Sequence, residues 1–243
     1  MQSNWSLYGQ WGRGQNIPPT SIFDVKGALV ATLPKPIEAD TTQVGTVWKS
    51  NRATLDVDYY HIGFQNDYSS TTDAQGNTTY FAAGKATTKG VEAEATLSLG
   101  AGFFVYGNAT KGSSMYDDLG QSLQNAPKDT ETVGLTYSNG GWNVGFFSKR
   151  VGTMYNDNGS VHEAITIDPV TISNVFVNYT FRGNSLLSRS KLKFGINNLS
   201  NTHAITGVSP ASSKSNLPAA GDVLTMVSGR SVSLAVTFDL TRK

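Results

Sequence analysis

The chain has 243 residues and a net charge of +1; 38% of its residues are hydrophobic, 15% are charged and none is cysteine. This length suits one large domain. The lack of cysteine excludes disulfides and thiolate metal sites, and the weak charge leaves no electrostatic footprint for binding nucleic acid. So little charge and so little apolar content are unusual for a soluble domain, whereas a membrane barrel faces lipid outside and keeps polar groups within.

Ten stretches alternate apolar and polar residues with a period of two, which predicts strands with one apolar face. The clearest runs from Thr88 to Leu99, where Val91 and Ala93 alternate with Glu92 and Glu94. Most stretches have roughly 8–12 residues, close to the length that a tilted strand needs to cross a bilayer. In chain order they are 3–13, 42–49, 53–64, 88–99, 103–111, 130–137, 142–151, 172–181, 191–198 and 226–238.

The connections between these stretches alternate in length. Long polar segments occupy 14–40, 66–79, 112–129, 152–169 and 199–224, and tight links lie near 50–52, 100–102 and 138–141, with a medium link at 182–190. Long loops on one side and short turns on the other are typical of antiparallel up-and-down barrels of the outer membrane. If the short links are periplasmic, both chain ends lie in the periplasm.

Aromatic residues cluster near the predicted strand ends. Such rings favour the headgroup layers of a bilayer, although aromatics also favour strands in general. An inner girdle is predicted from Trp48, Phe103, Phe104, Tyr137, Trp142, Phe181 and Phe238, and an outer girdle from Trp11, Phe64, Tyr80 and Tyr155.

The residues whose side chains could act in catalysis or bind a metal do not form a recognisable catalytic or metal-binding motif. His61, His162 and His203 lie in or beside different outer loops without the spacing of metal ligands. The pair Asp56 and Asp58, like Glu92 and Glu94, shares one strand face. Carboxylate pairs can act in acid–base chemistry, but a charged wall inside a barrel is the interpretation that we favour.

Two further features lie in the outer loops. The segment 156–159 (Asn-Asp-Asn-Gly) resembles part of a calcium loop without its later Glu, and a turn is the favoured interpretation. Asp117, Asp118 and Asp129 share one long loop, with Arg13 and Lys111 near other outer ends, where an external ligand would arrive first. We predict no catalytic, cofactor-binding or metal-binding residues and no cofactor.

Several segments, in order, resemble TonB-dependent outer-membrane receptors. The segment 87–97 (TTKGVEAEATL) resembles the family's "skGvE-E" strand. Further matches are 43–45 with 53–63, Ala126-Pro127 followed by 134–137 ("AP…lgl-Y"), 195–199 ("NNL"), and 229–232 with Leu234, Val236 and Phe238 of the closing strand. The resemblance spans nearly the whole chain and only the C-terminal part of the family's barrel.

The resemblance implies an all-β fold of about ten strands from a larger barrel of 22 strands with a plugged lumen. Residues 1–243 would then be a partial barrel domain without the plug, the TonB-contacting segment, the signal peptide and about twelve strands. The implied partners are outer-membrane lipid, the TonB system through the plug, and a small-molecule ligand such as a siderophore, but no nucleic acid. Residues 239–243 follow Phe238, where the family often ends in an aromatic residue.

The implied function is TonB-energised uptake of a scarce nutrient, with a ferric siderophore as the first choice and no transport by this portion alone. Ten strands could instead close into a complete small barrel, because barrels of this size exist. The alternatives for such a barrel are a protease, with His61, His162 and His203 as candidates by location only, and a passive pore or adhesion barrel. An incomplete barrel remains the expectation, since unpaired edges cost several kcal/mol per group in hydrocarbon.

Overall fold

The computed structural model describes residues 4–17, 35–72, 78–117, 120–157, 164–182, 188–209 and 220–239. Every regular element in this part is a β-strand, and it contains no helix long and apolar enough to cross a membrane. The strands are β1 (Trp5–Asn16), β2 (Ile37–Lys49), β3 (Ala53–Thr72), β4 (Thr78–Gly100), β5 (Phe103–Tyr116), β6 (Gln121–Ser122), β7 (Asp129–Asn139), β8 (Trp142–Val151), β9 (Met154–Asp157), β10 (Ala164–Ile167), β11 (Val170–Thr180), β12 (Lys191–Asn197), β13 (Ile205–Ser209), β14 (Val223–Met226) and β15 (Ser231–Thr237).

One antiparallel sheet contains ten of these strands in the order β1-β2-β3-β4-β5-β7-β8-β11-β12-β15, with short β6 added beside β5. Each sheet neighbour is the next long strand along the chain, which is the up-and-down connectivity that the sequence predicts. The predicted all-β fold is confirmed. With β1 and β15 at opposite ends of the order, the described strands form an open wall and not a closed ring.

The long segments contain more strand than the sequence predicts. β3 and β4 stay paired as far as Thr72 and Thr78, so most of the predicted loop 66–79 is a long hairpin, with register shifts between Phe64 and Tyr68. The predicted loops 152–169 and 199–224 contain paired strands, β9 with β10 and β13 with β14. The strands β9, β10, β13 and β14 have only four or five residues each, too few for a period-two alternation to stand out, and the far half of the β3–β4 hairpin is mostly polar.

The tight links lie where the sequence predicts them. Asn139 pairs directly with Trp142, and the two residues between them, Gly140 and Gly141, have positive φ angles of 59° and 96°. Two such residues make the type I′ turn that suits the twist of a hairpin. The same end of the sheet carries the turn between β4 and β5, so the short connections share one side.

The strand register divides the wall into two faces. The outer face is apolar and well exposed; Leu7 is 67% exposed, Val133 58% and Leu234 68%. Its side chains include Leu7, Val44, Val57, Val91, Val105, Leu135, Phe146, Val175, Phe194 and Leu234. So large an apolar surface is incompatible with water as its solvent and matches the outside of a barrel in lipid.

The opposite, inner face is polar and holds a repeated fit between rings and glycines. A Cβ atom on Gly45 would lie 2.4 Å from the Tyr8 ring, and one on Gly134 would lie 2.5 Å from the Phe147 ring. Phe176 covers Gly145 in the same way. A flat ring over a neighbouring glycine fills the gap that the missing side chain leaves, which stabilises a strand rich in glycine.

The aromatic girdles are confirmed in part. At the short-turn end, Phe103 lies 4.7 Å from Tyr137 and Trp142 lies 4.6 Å from Tyr179, measured between ring centroids, and Trp48 pairs with Trp5. Phe181 packs edge-on against Tyr179. Trp11, at the opposite end, is 68% exposed on the outer face.

Three girdle predictions are wrong. Phe104 follows Phe103 in a strand and therefore points to the inner face. Phe64 packs against Ala86 and Tyr116 on the inner face, and Tyr155 belongs to β9, outside the main sheet. The Tyr80 side chain lies outside the described part, and Phe238 stands exposed beyond β15.

The two faces should tolerate charge differently. We expect Val133→Arg, on the outer face near mid-height, to lower the free energy of unfolding in lipid vesicles by about 2–4 kcal/mol, because an arginine would enter hydrocarbon. Thr136→Arg, on the same strand but facing inward, should cost less than about 1 kcal/mol. Urea titration of tryptophan fluorescence measures both, and equal losses would contradict the assignment of the faces.

Glycines that lie against a neighbouring strand should resist substitution. A Cβ atom on Gly112 would lie 2.6 Å from the Lys89 carbonyl oxygen, whereas one on Gly107 has only a contact at 3.9 Å. Because backbone cannot move aside cheaply, Gly112→Ala should destabilise the protein by about 1–3 kcal/mol. Gly107→Ala, in the same strand, should stay within about 0.5 kcal/mol of wild type in the same urea titration. Indistinguishable midpoints for the two variants would disprove the close packing.

Candidate functional site

Four carboxylates meet on the inner face of β3 and β4. The register places Asp58 directly opposite Glu92 and Asp56 directly opposite Glu94. The sequence shows each pair on one strand face, but not that the two pairs are neighbours. Like charges opposite one another destabilise a sheet, so this cluster, called here the acidic wall, must be compensated by other groups.

Tyrosine hydroxyls provide part of that compensation. The Tyr8 hydroxyl lies 3.1 Å from Asp56 Oδ1 and 3.3 Å from Asp58 Oδ2, so it can donate to either carboxylate. The Tyr106 hydroxyl donates to Glu94 Oε2 over 2.9 Å. A hydroxyl that donates to an ionised carboxylate forms a charge-assisted bond, stronger than one between neutral groups.

Asp58 is the most enclosed member of the acidic wall. The residue is only 9% exposed, and its Oδ1 atom is buried without a hydrogen-bond partner among the described residues. A buried acceptor without a donor costs free energy. Glu92 and Glu94 beside it are exposed, so a cationic donor that approaches from the lumen, such as an ammonium or guanidinium group, can reach these two carboxylates.

The remaining inner face is more aromatic. Tyr106, Phe147 and Phe176 follow one another across β5, β8 and β11, with ring centroids 6.4 Å and 6.3 Å apart. The wall thus joins an acidic half to an aromatic half. Such a surface can contact both charged and apolar parts of whatever occupies the lumen.

The predicted metal and acid–base candidates do not assemble into one site. His61 lies on the outer face of β3 opposite Lys89, and His203 is exposed in the link before β13. His162 falls outside the described residues. Within the described ranges, no group of three or more His, Asp or Glu side chains is arranged to hold a metal ion.

The hairpins β9–β10 and β13–β14 pack against each other beyond the long-loop end of the sheet. Asn156 Oδ1 accepts the Val208 backbone N–H over 3.2 Å, and Ile165 and Val208 are almost fully buried. Asn156 was predicted to begin a turn, but it lies within β9; Asn158 and Gly159 fall outside the described residues.

A buried asparagine fixes the base of the β13–β14 hairpin. The Asn198 amide donates to the carbonyls of Thr202 and Ser228, both over 2.9 Å, and its oxygen accepts the Thr202 N–H over 2.8 Å. Asn198 is 3% exposed. The part of this outer segment that is described is therefore held in place by directional bonds.

Two of the charged residues noted in the outer region are engaged in ion pairs. Arg13 binds Asp40 through two bonds of 2.7 Å and 2.8 Å, and Arg150 pairs with Asp129. Asp117 accepts the Thr87 hydroxyl over 3.0 Å. Lys111 is exposed on the outer face, and Asp118 falls outside the described residues.

Comparison with known proteins relates this wall to one family. The family model described as "TonB dependent receptor-like, beta-barrel" matches residues 2–199. No curated protein sequence matches the chain.

Solved structures share the fold at low sequence identity. The copper transporter OprC superposes with a TM-score of 0.78 at 17% identity, over 98% of this chain and 37% of its own. The ferric-catecholate import receptor Fiu from Escherichia coli K12 superposes with a TM-score of 0.69 at 17% identity, over 98% of this chain and 33% of its own. The siderophore receptor PiuA from Acinetobacter baumannii superposes with a TM-score of 0.67 at 21% identity, over 98% of this chain and 34% of its own. The chain thus spans about a third of the length of the structures it matches.

The hydroxyl of Tyr8 should stabilise the acidic wall. We expect Tyr8→Phe to lower the free energy of unfolding by about 1–2 kcal/mol, because two carboxylates lose a shared donor. Tyr59→Phe is the matched control: its ring faces outward, and its hydroxyl has no partner among the described residues. Urea unfolding at neutral pH measures both, and a loss in the control as large as that in Tyr8→Phe would refute the role of the bond.

Proposed function

Because the chain belongs to the TonB dependent receptor-like β-barrel family, we propose that it forms part of a receptor wall for uptake of a scarce nutrient, energised through TonB. Members of this family are transporters and receptors of the Gram-negative outer membrane. The chain is accordingly an outer-membrane protein. Since these receptors are not enzymes, the protease alternative is wrong.

The proposed cargo is a ferric siderophore. Fiu is described as a ferric-catecholate import receptor and PiuA as a siderophore receptor, while OprC is a copper transporter. One of these descriptions names a ferric chelate and another names a siderophore, which supports a ferric siderophore over copper as the cargo of this chain. The aromatic half of the inner wall, Tyr106, Phe147 and Phe176, offers surface for a planar aromatic chelator.

In this proposal, residues 1–243 are one portion of a wider barrel domain, and the segment that contacts TonB belongs to a plug inside the lumen. The support is the match to only about a third of each solved structure, together with the open strand order. The inner face is polar, as the wall of a filled lumen requires. The acidic wall would face that filling and supply charge to its cationic groups.

Iron uptake by cells tests the proposal. In an iron-starved Gram-negative host without its own siderophore receptors, the complete receptor carrying this sequence should raise accumulation of radioactive iron several-fold over a vector control. We expect this for at least one member of a panel of ferric catecholates, hydroxamates and citrate. Because uptake against a gradient needs energy, deletion of tonB should abolish it.

The other outcomes test the receptor assignment and the choice of cargo separately. Uptake that persists without TonB and rises linearly with concentration would indicate a passive pore. TonB-dependent accumulation of copper without any ferric siderophore would leave the receptor assignment standing and overturn the cargo. Steady open conductance in planar bilayers would likewise favour the pore.

A further inference from the structure

The charges on the inner face of the main sheet are separated by strand. Its described carboxylates all belong to the acidic wall on β3 and β4. Within the described parts of β7, β8, β11, β12 and β15, the inner face holds no Asp or Glu, and its charged residues are Lys149 on β8 and Lys191 and Lys193 on β12. The wall therefore has an acidic side and a basic side.

Two of these lysines are not neutralised by the protein around them. Lys149 and Lys193 are exposed, and neither forms an ion pair with a described residue. Asp168 and Asp239 each lie four residues along the chain from the residue that faces one of these lysines, roughly 13 Å along an extended strand at ~3.3 Å per residue. Glu131 belongs to the outer face. Both lysines thus present positive charge to the lumen.

Two aromatic rings lie between the lysines. In rows of residues that face one another across the strands, Lys149, Phe147, Phe176 and Lys193 occupy four successive rows of the inner face. The rings of Phe147 and Phe176 are nearly parallel, at 16°, and their centroids are 6.3 Å apart. Each ring covers a glycine of the neighbouring strand and is half-buried, which leaves its other side to the lumen.

This group of residues is separate from the acidic wall. Glu94 occupies the same row as Lys149 but lies three strands away, roughly 14 Å at ~4.8 Å per strand. Tyr106 stands on the acidic side of Phe147 and donates its hydroxyl to Glu94. Since carboxylates repel an anion and lysines attract it, an anion in the lumen is drawn to the side of Phe147 and Phe176.

We propose that Lys149, Phe147, Phe176 and Lys193 form a lumen-side site for an anionic ferric chelate with aromatic ligands, such as a catecholate. The two rings offer a flat apolar surface to the aromatic groups of the chelate, and the lysines bind its negative charge. Lys193 faces the row beside the β7–β8 turn, so a chelate entering from outside reaches the site on its way to the periplasm. This inference rests on the proposed function and narrows its cargo to the anionic, aromatic class.

Iron uptake by cells that carry the complete receptor tests the site. The probe is the radioactive ferric complex of dihydroxybenzoylserine; its surface binding is measured in a strain without tonB, and its initial uptake in a strain with tonB. We expect Lys149→Gln with Lys193→Gln to leave the Kd of surface binding unchanged, because the site lies inside the lumen. The same variant should lower initial uptake about tenfold, equivalent to ~1.4 kcal/mol, since two ion pairs with the cargo are lost.

The uptake rate should follow the charge at these two positions. Lys149→Arg with Lys193→Arg should import like wild type, and Lys149→Glu with Lys193→Glu should import more slowly than the double Gln variant. Ferric citrate, which is anionic but has no aromatic ring, should enter wild-type cells at less than a tenth of the rate of the probe.

Lys89→Gln with Lys111→Gln is the matched control, because it removes two positive charges from the outer face. It should import like wild type, and heat-dependent migration on gels verifies that each variant is folded. Equal uptake by wild type and the Gln and Glu variants, an equal loss in the control, or import of citrate or hydroxamate chelates in place of the probe would overturn the site and leave the proposed function standing. Absence of TonB-dependent uptake of every ferric chelate would instead overturn the proposed function, and the site with it.

Discussion

Backbone hydrogen bonding without water determines most of this structure. In hydrocarbon an unpaired N–H or C=O costs several kcal/mol, so a chain that crosses as strands must pair every strand with a neighbour. The unbroken antiparallel ladder from β1 to β15 meets that demand across its interior. Once the ladder fixes the register, it also fixes which side chains meet lipid and which meet the lumen.

Because one face contacts lipid and the other contacts the lumen, the two faces need different side chains. The outer face needs only apolar bulk at mid-height and suitable charges at its edge, as Val133 and Lys89 illustrate. The inner face tolerates the opposed carboxylates Asp58 and Glu92 because tyrosine hydroxyls and the contents of the lumen can offset their repulsion. Side chains on one face can therefore change with cargo while the other face continues to match the membrane.

Period-two alternation was sufficient to predict the ten sheet strands and their faces, because the membrane imposes that pattern on every crossing strand. It was not sufficient for the register between strands. The meeting of Asp56 with Glu94 depends on the length of the β3–β4 hairpin and on the register shifts after Phe64, neither of which leaves an apolar signal. Phe104 shows a simpler error, since two successive residues of a strand cannot share a face. The β9–β10 hairpin was missed because its strands are short and packed outside the bilayer.

The long β3–β4 hairpin has a consequence for the surroundings of the cell. Its strands remain paired to Thr72 and Thr78, roughly 35 Å along the strand beyond Lys89 at ~3.3 Å per residue. A ribbon of that length rises well clear of the lipid surface. Large particles that approach the opening, such as bacteriophages or antibodies, would therefore meet this hairpin before they reach the bilayer, whereas small chelates can pass beside it.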